Sequence, residues 1–197
     1  VNGFDKTQMS KMLSGKIVNV RPSIGAYSDN MSGNASPKDL ETLFQMVHLY
    51  FTSLNKDEKA FKSFIEKQKS FLGNMMSNPQ TYFSVEMGKF MYGKSPRYTG
   101  FPTPEKMDEA NYDLAYEKYK ERFADAGDFH FYFVGNINEK QLVELSEKYI
   151  ASLPGLNSNE MYEVSDFRPL TGMHEKIIEK GQAPKSSVRI TFHGPTE

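Results

Sequence analysis

The run Phe129-His130-Phe131-Tyr132-Phe133-Val134-Gly135 sets the strongest limit on what this chain forms. Three Phe alternate with His130, Tyr132 and Val134, and both sets are apolar enough for a strand covered on two sides. Gly135-Asn136-Ile137-Asn138 then turns the chain into a helix capped by Asn138, with Leu142, Leu145, Tyr149 and Leu153 inward. Burying three such Phe side chains is worth on the order of 1.5 to 3 kcal/mol each before entropy, so this strand-helix unit is expected to anchor the fold.

The remaining elements follow from turn and cap signals. Residues 16–35 mix alternating apolar positions with Pro22, Gly25 and Gly33, which suits two short strands joined by a turn. Ser36-Pro37-Lys38-Asp39 reads as a Ser cap, a Pro at the first helical position and an acid in the first turn. The helix behind it places Leu40, Leu43, Phe44, Val47, Tyr50, Phe51 and Leu54 on one stripe. Asn55, with Glu58 three residues on, predicts a cap for a second helix to about Met76. Asn78-Pro79 opens a third, ending near Gly93, and Lys94–Pro104 reads as loop. Asn111 caps a helix in which Tyr112, Tyr116, Tyr119 and Phe123 form an aromatic stripe, a core pattern. Residues 154–172 lack any period and read as a linker, after which 173–180 and 187–193 alternate like two strands. Two strands alone are not a domain, so the expected organisation is 1–154, 155–172 and 173–197. The fold class is α+β: a mainly antiparallel sheet with helices on one face, incomplete.

Composition bounds the function. The chain has 197 residues, with 24 Lys and Arg against 25 Asp and Glu, so no cationic excess exists to displace counterions from nucleic acid. No apolar stretch approaches the roughly 18 residues of a bilayer span, and no signal-type segment opens the chain. The absence of Cys excludes disulfides and thiolate metal sites. With Val1 first and a strand-like run close to Glu197, the chain reads as an excised segment.

Zinc peptidase chemistry requires two His at helical spacing with a carboxylate between them, as H-E-x-x-H or H-x-x-E-H. Neither occurs. His174-Glu175 begins like the first form, but Ile178 stands where the second His belongs. His48 has no acid within five residues, while His130 and His193 sit on predicted strands. Glu58 and Glu66 are the helical carboxylate pair worth testing, yet a spacing of eight turns one from the other by about 80°. With Lys59, Lys62, Lys67 and Lys69 around them they read as a solvated charged face. Phosphate-binding glycine loops and the G-x-S-x-G elbow are also absent. No catalytic, cofactor-binding or metal-ligating residue is assigned.

YKERFADAGDFHFYFVGNI from Tyr119, with KYIASLPG ending at Gly155, resembles the pitrilysin or insulinase family of zinc peptidases. LSGKIVNVRPSI from Leu13, SGNASPKDLETLFQMVHLYFTS from Ser32 and the spacing from Asn78-Pro79 to Arg97 are similar to the second, non-catalytic half of long bacterial members. EKGQAPKSSVRITFHG from Glu179 resembles the first strands of the next homologous domain.

The resemblance implies four homologous α+β domains arranged as a clamshell around a peptide chamber, with residues 1–154 most of the third. Zinc would be held by the other half of the parent protein, a zinc metalloendopeptidase, and none by this segment, which alone is expected to be inert. The implied partners are peptide or unfolded polypeptide substrate and the catalytic half of the same chain. The excised segment is also expected to self-associate through 187–193, or to fold that run back onto the first domain. Relatives of this type are often exported in bacteria. The rival reading is a structural scaffold relative without zinc or peptidase activity, as the resemblance to respiratory-complex core subunits permits.

Overall fold

The computed structural model describes residues 1–25, 27–95, 98–156, 158, 161, 168–182 and 184–194. Arg97 and residues 157, 159, 160 and 162–167 of the expected linker lie outside the described residues. Helices α1 (Lys6–Met12), α2 (Leu40–Thr52), α3 (Glu58–Met75), α4 (Pro79–Tyr92), α5 (Pro104–Asp108), α6 (Tyr112–Arg122) and α7 (Glu139–Tyr149) accompany one antiparallel pair, β1 (Val18–Ile24) and β2 (Asp29–Ala35). The class is α+β, as expected. Contacts group Val1–Phe61 with Asn111–Met161, and Lys62–Ala110 with Tyr162–Glu197, a different partition from 1–154, 155–172 and 173–197.

The first unit is organised by α2. Phe44 is 1% exposed and stacks on Phe133 at 5.1 Å between ring centroids. Farther along the same stripe Phe51 meets the edges of Phe123 and Phe129 at 5.5 and 5.1 Å. The hairpin also presses on α2: a Cβ on Gly33 would lie 2.8 Å from Leu43 Cδ1 and 2.9 Å from the Asn19 carbonyl, so only glycine lets β2 approach this closely.

The aromatic stripe on α6 is core and also caps its neighbours. The Tyr116 hydroxyl donates to the Leu54 carbonyl at 2.8 Å and Tyr119 to the Tyr50 carbonyl at 3.1 Å, meeting acceptors in and just beyond the last turn of α2. Tyr112 stacks on Phe61 at 4.3 Å while its hydroxyl accepts from Asp57 N–H. Burial pushes the Tyr119 hydroxyl well above the ordinary phenol range.

Three local expectations are corrected. Ser36 does not cap α2 through its side chain; its hydroxyl donates at 2.6 Å to Asp39, whose same Oδ2 accepts Ile17 N–H at 2.9 Å. Those two bonds, the Ser36 one foremost, hold the Asp39 carboxyl below its usual range. At α3 the capping acceptor is Asp57 Oδ1, bonded to Ala60 N–H, whereas Asn55 Oδ1 is buried without a hydrogen-bond partner. Finally, the only sheet among the described residues is β1–β2. Segments 129–135, 173–180 and 187–193 run without a hydrogen-bonded ladder, because an alternating pattern makes a segment strand-like but a ladder needs a neighbour at strand spacing.

In the second unit α4 is capped by Asn78 Oδ1, which accepts from Gln80 and Thr81 N–H. His174 lies edge-on to Phe90 at 6.3 Å, and Leu170 N–H donates to the Met91 carbonyl at 2.8 Å.

Replacing Phe44 by Ala is expected to cost about 3 to 5 kcal/mol of unfolding free energy, against less than about 0.5 kcal/mol for Leu114→Ala on the exposed side of α6. Urea denaturation of the two variants checks the contrast.

Candidate functional site

Two of the four histidines, His48 and His174, hydrogen-bond to main-chain carbonyls. His48 follows Glu41 and Gln45 on one face of α2, and all three meet the end of α7. His48 Nδ1 donates to the Tyr149 carbonyl at 2.9 Å, while the Tyr149 hydroxyl donates to Glu41 at 2.8 Å and accepts from Gln45 at 3.1 Å. Lys148, at 3.0 Å, and then Tyr149 hold the Glu41 carboxyl below its usual range. His48 therefore fastens one helix end to another. His174 Nε2 donates to the Thr171 carbonyl at 2.9 Å. Glu58 and Glu66 are exposed on α3. Among the described residues no three His, Cys, Asp or Glu side chains group to hold a metal.

The most heavily committed carboxylate is one that sequence reading missed. Asp125 is buried; its Oδ1 accepts from Gly127 and Leu156 N–H and its Oδ2 from Ser158 N–H, each at 2.9 Å. The Ser158 amide and then the Leu156 amide hold its carboxyl at about 2, below the ordinary 3.8. Ala126 N–H adds a 2.8 Å bond to the Pro154 carbonyl, so the chain leaving α7 is latched to the start of segment 129–135. Asp125-x-Gly127 was the available signal, an Asp accepting from the backbone two residues on.

The first unit carries a cleft of about 1240 Å³ walled by β2 on one side and residues 129–138 on the other, with Leu40, Leu43, Phe44, Val47 and Phe51 of α2 as floor. Its walls are extended backbone. Tyr132 and Val134 on the outer side of 129–134 are 84% and 96% accessible, whereas Phe131 and Phe133 on the inner side are half-buried. The expected cover on two sides is thus present on the α2 side only. The cleft offers apolar surface and main-chain groups, and Asp29, Glu121, Arg122, Asp125, Asp128 and His130 also lie on its lining.

Residues 110–197 match the family model described as the peptidase M16 inactive domain. No curated protein matches. Among solved structures the fold is similar to a point mutant of the ferredoxin protease FusC in complex with Arabidopsis ferredoxin, at TM-score 0.65 and 17% identity over 86% of this chain and 18% of that one. It is similar to the periplasmic protease PqqL from Escherichia coli at TM-score 0.62 and 18% identity, over 81% of this chain and 17% of that one. A protease from Helicobacter pylori gives TM-score 0.59 and 13% identity, over 85% of this chain and 41% of that one. The chain thus spans less than a fifth of the length of the first two.

Asp125 carries a pH prediction. Its native pKa of about 2 lies below the ordinary 3.8, so its contribution is complete above about pH 4 and is lost as pH falls through about 2. Asp125→Asn is expected to be less stable at neutral pH and to lose that part of the acid dependence. Urea midpoints of both proteins between about pH 5 and 2 check it.

With His48 and His174 spent on structure, residues 110–197 match the model of the peptidase M16 inactive domain, and the fold of the chain is similar to that of the proteases FusC and PqqL.

Proposed function

We propose that these residues serve a zinc-dependent metallopeptidase, helping to enclose and select peptide substrate while zinc chemistry takes place in the other half of the protein. The observation that carries this reading is the match of 110–197 to an inactive domain rather than a catalytic one. The FusC structure, similar in fold, holds a protein ligand, ferredoxin. The described residues do not fit zinc themselves. His48 Nδ1 is committed to a carbonyl, and the described carboxylates and imidazoles form no three-membered group. The role left to the segment is to shape and wall a chamber with side chains and backbone, and no described helix of it is long and apolar enough to cross a membrane.

On this reading residues 1–154 supply most of one homologous domain, 155–172 link it to the next, and 173–197 open that next domain. The aperiodic Pro- and Gly-containing composition of 154–172 supports the linker. Limited proteolysis is then expected to cut first within 155–172; first cuts between Ser36 and Leu54 would contradict the division.

The functional reading is tested on the full-length polypeptide that contains these residues. It is expected to hold one zinc per chain and to cleave an unfolded polypeptide, with both properties lost after chelation. The 197-residue chain, dialysed alone, is expected to retain no stoichiometric zinc. A full-length protein without zinc or peptidase activity would replace this proposal by a scaffold role.

A further inference from the structure

A second concavity, of about 1210 Å³, lies within the second unit between α4 and residues 170–193. Its floor is one helical face: Phe83, Met87, Phe90 and Met91 follow one another at i, i+4, i+7 and i+8, and all four line it. The charged part of the lining is one-sided. Lys176, Lys180, Lys185 and Arg189 stand against a single acid, Glu175, and the one carboxylate of α4, Glu86, is off the lining. The whole chain carries 24 Lys and Arg against 25 Asp and Glu, so this cationic excess is local.

Alternation in 173–180 produces part of it. His174 meets Phe90 edge-on, Ile178 is half-buried, and Lys180 Nζ lies 4.9 Å from the centre of the Tyr82 ring. These even positions turn toward α4, and Lys176 shares their phase. The odd positions hold Met173 and Ile177, both largely exposed, together with Glu175 and Glu179, so the acids alternate away from the helix. Among the described residues Lys176, Lys185 and Arg189 make no ion pair. Uncompensated cations beside an apolar floor leave a positive potential that draws carboxylates to it.

We propose that this cavity is a docking groove for an acidic stretch of polypeptide substrate, with carboxylates at Lys176, Lys185 and Arg189 and the intervening apolar side chains on the α4 floor. This rests on the proposed role of the chain in selecting peptide substrate, and it names the class selected. The occupant is a polypeptide because the floor offers what a phosphate backbone does not use. Two of its four apolar side chains are Met, whose unbranched thioethers adapt to different partners, and a chain without net cationic excess is poorly suited to a polyphosphate. Exposed ion pairs are individually weak, so three of them are expected to give about a tenfold preference, screened by salt.

Peptide binding to the full-length protein, measured by fluorescence anisotropy in the presence of a chelator so that hydrolysis plays no part, tests this. Two labelled peptides of equal length share their Leu and Ala positions, and one carries Glu where the other carries Gln. The Glu peptide is expected to bind about tenfold tighter at low salt, with the difference shrinking as salt rises toward about 0.5 M. In the triple variant K176Q/K185Q/R189Q the Glu peptide should fall to the affinity of the Gln peptide, whose own unchanged binding reports an intact fold. If the triple variant does not fold, R189Q alone, expected to cut the preference about twofold, decides the same point. Equal binding of the two peptides by the unsubstituted protein, or a preference that survives these substitutions, would overturn the proposal. Tighter binding of a single-stranded oligonucleotide or of phosphatidylglycerol vesicles than of the Glu peptide, lost in the same variants, would overturn it in favour of a nucleic acid or a membrane surface. Because the readout needs no zinc, a Glu preference carried by these residues in a protein that cleaves nothing would reject the enzyme reading and leave the acidic-peptide groove standing.

Discussion

The stacking of Phe44 on Phe133 joins the two halves of the first unit's core, and most of that unit depends on it. Phe44 lies on α2, 89 residues earlier in sequence, so the contact closes a long loop that only substantial apolar burial offsets. Around it Phe51, Phe123, Phe129 and Tyr119 form one aromatic cluster, each offset or edge-on pair adding about 0.5 to 1.5 kcal/mol beyond area burial. α2 is the shared floor because its apolar stripe spans more than one neighbour: Leu43 takes the hairpin and Phe44 takes segment 129–135.

Main-chain polar groups meet two different fates above that floor. At helix ends they are provided for: Asn78, Asn111 and Asn138 accept from first-turn amides, Tyr116 and Tyr119 donate to carbonyls at the end of α2, and His48 does the same for α7. Along β2's outer side and 130–136 they are left open. Among the described residues the helix termini are satisfied while these two extended edges carry no ladder.

The same division explains the chemistry. Polar residues that could have formed a reactive centre are consumed by backbone groups: His48 and His174 by carbonyls, Asp125 by three amides, Asp39 by Ile17 N–H. These side chains fix the backbone, which agrees with the match of residues 110–197 to the peptidase M16 inactive domain.

What the sequence determined by itself was local. The caps at Asn78, Asn111 and Asn138 were legible because each bond closes within three residues, and the hairpin at 16–35 because its turn residues sit between two alternating runs. The burial of the Tyr112–Phe123 stripe followed from helical spacing. Tertiary structure decided the rest. Asp39, not Ser36, became the acceptor at the start of α2 because its partner Ile17 lies 22 positions away, and Asp125 became a latch through amides 31 and 33 positions on. The alternation in 129–135 announced a strand but could not say what would pair with it, since side-chain period is a property of the segment and a ladder is a property of its neighbours.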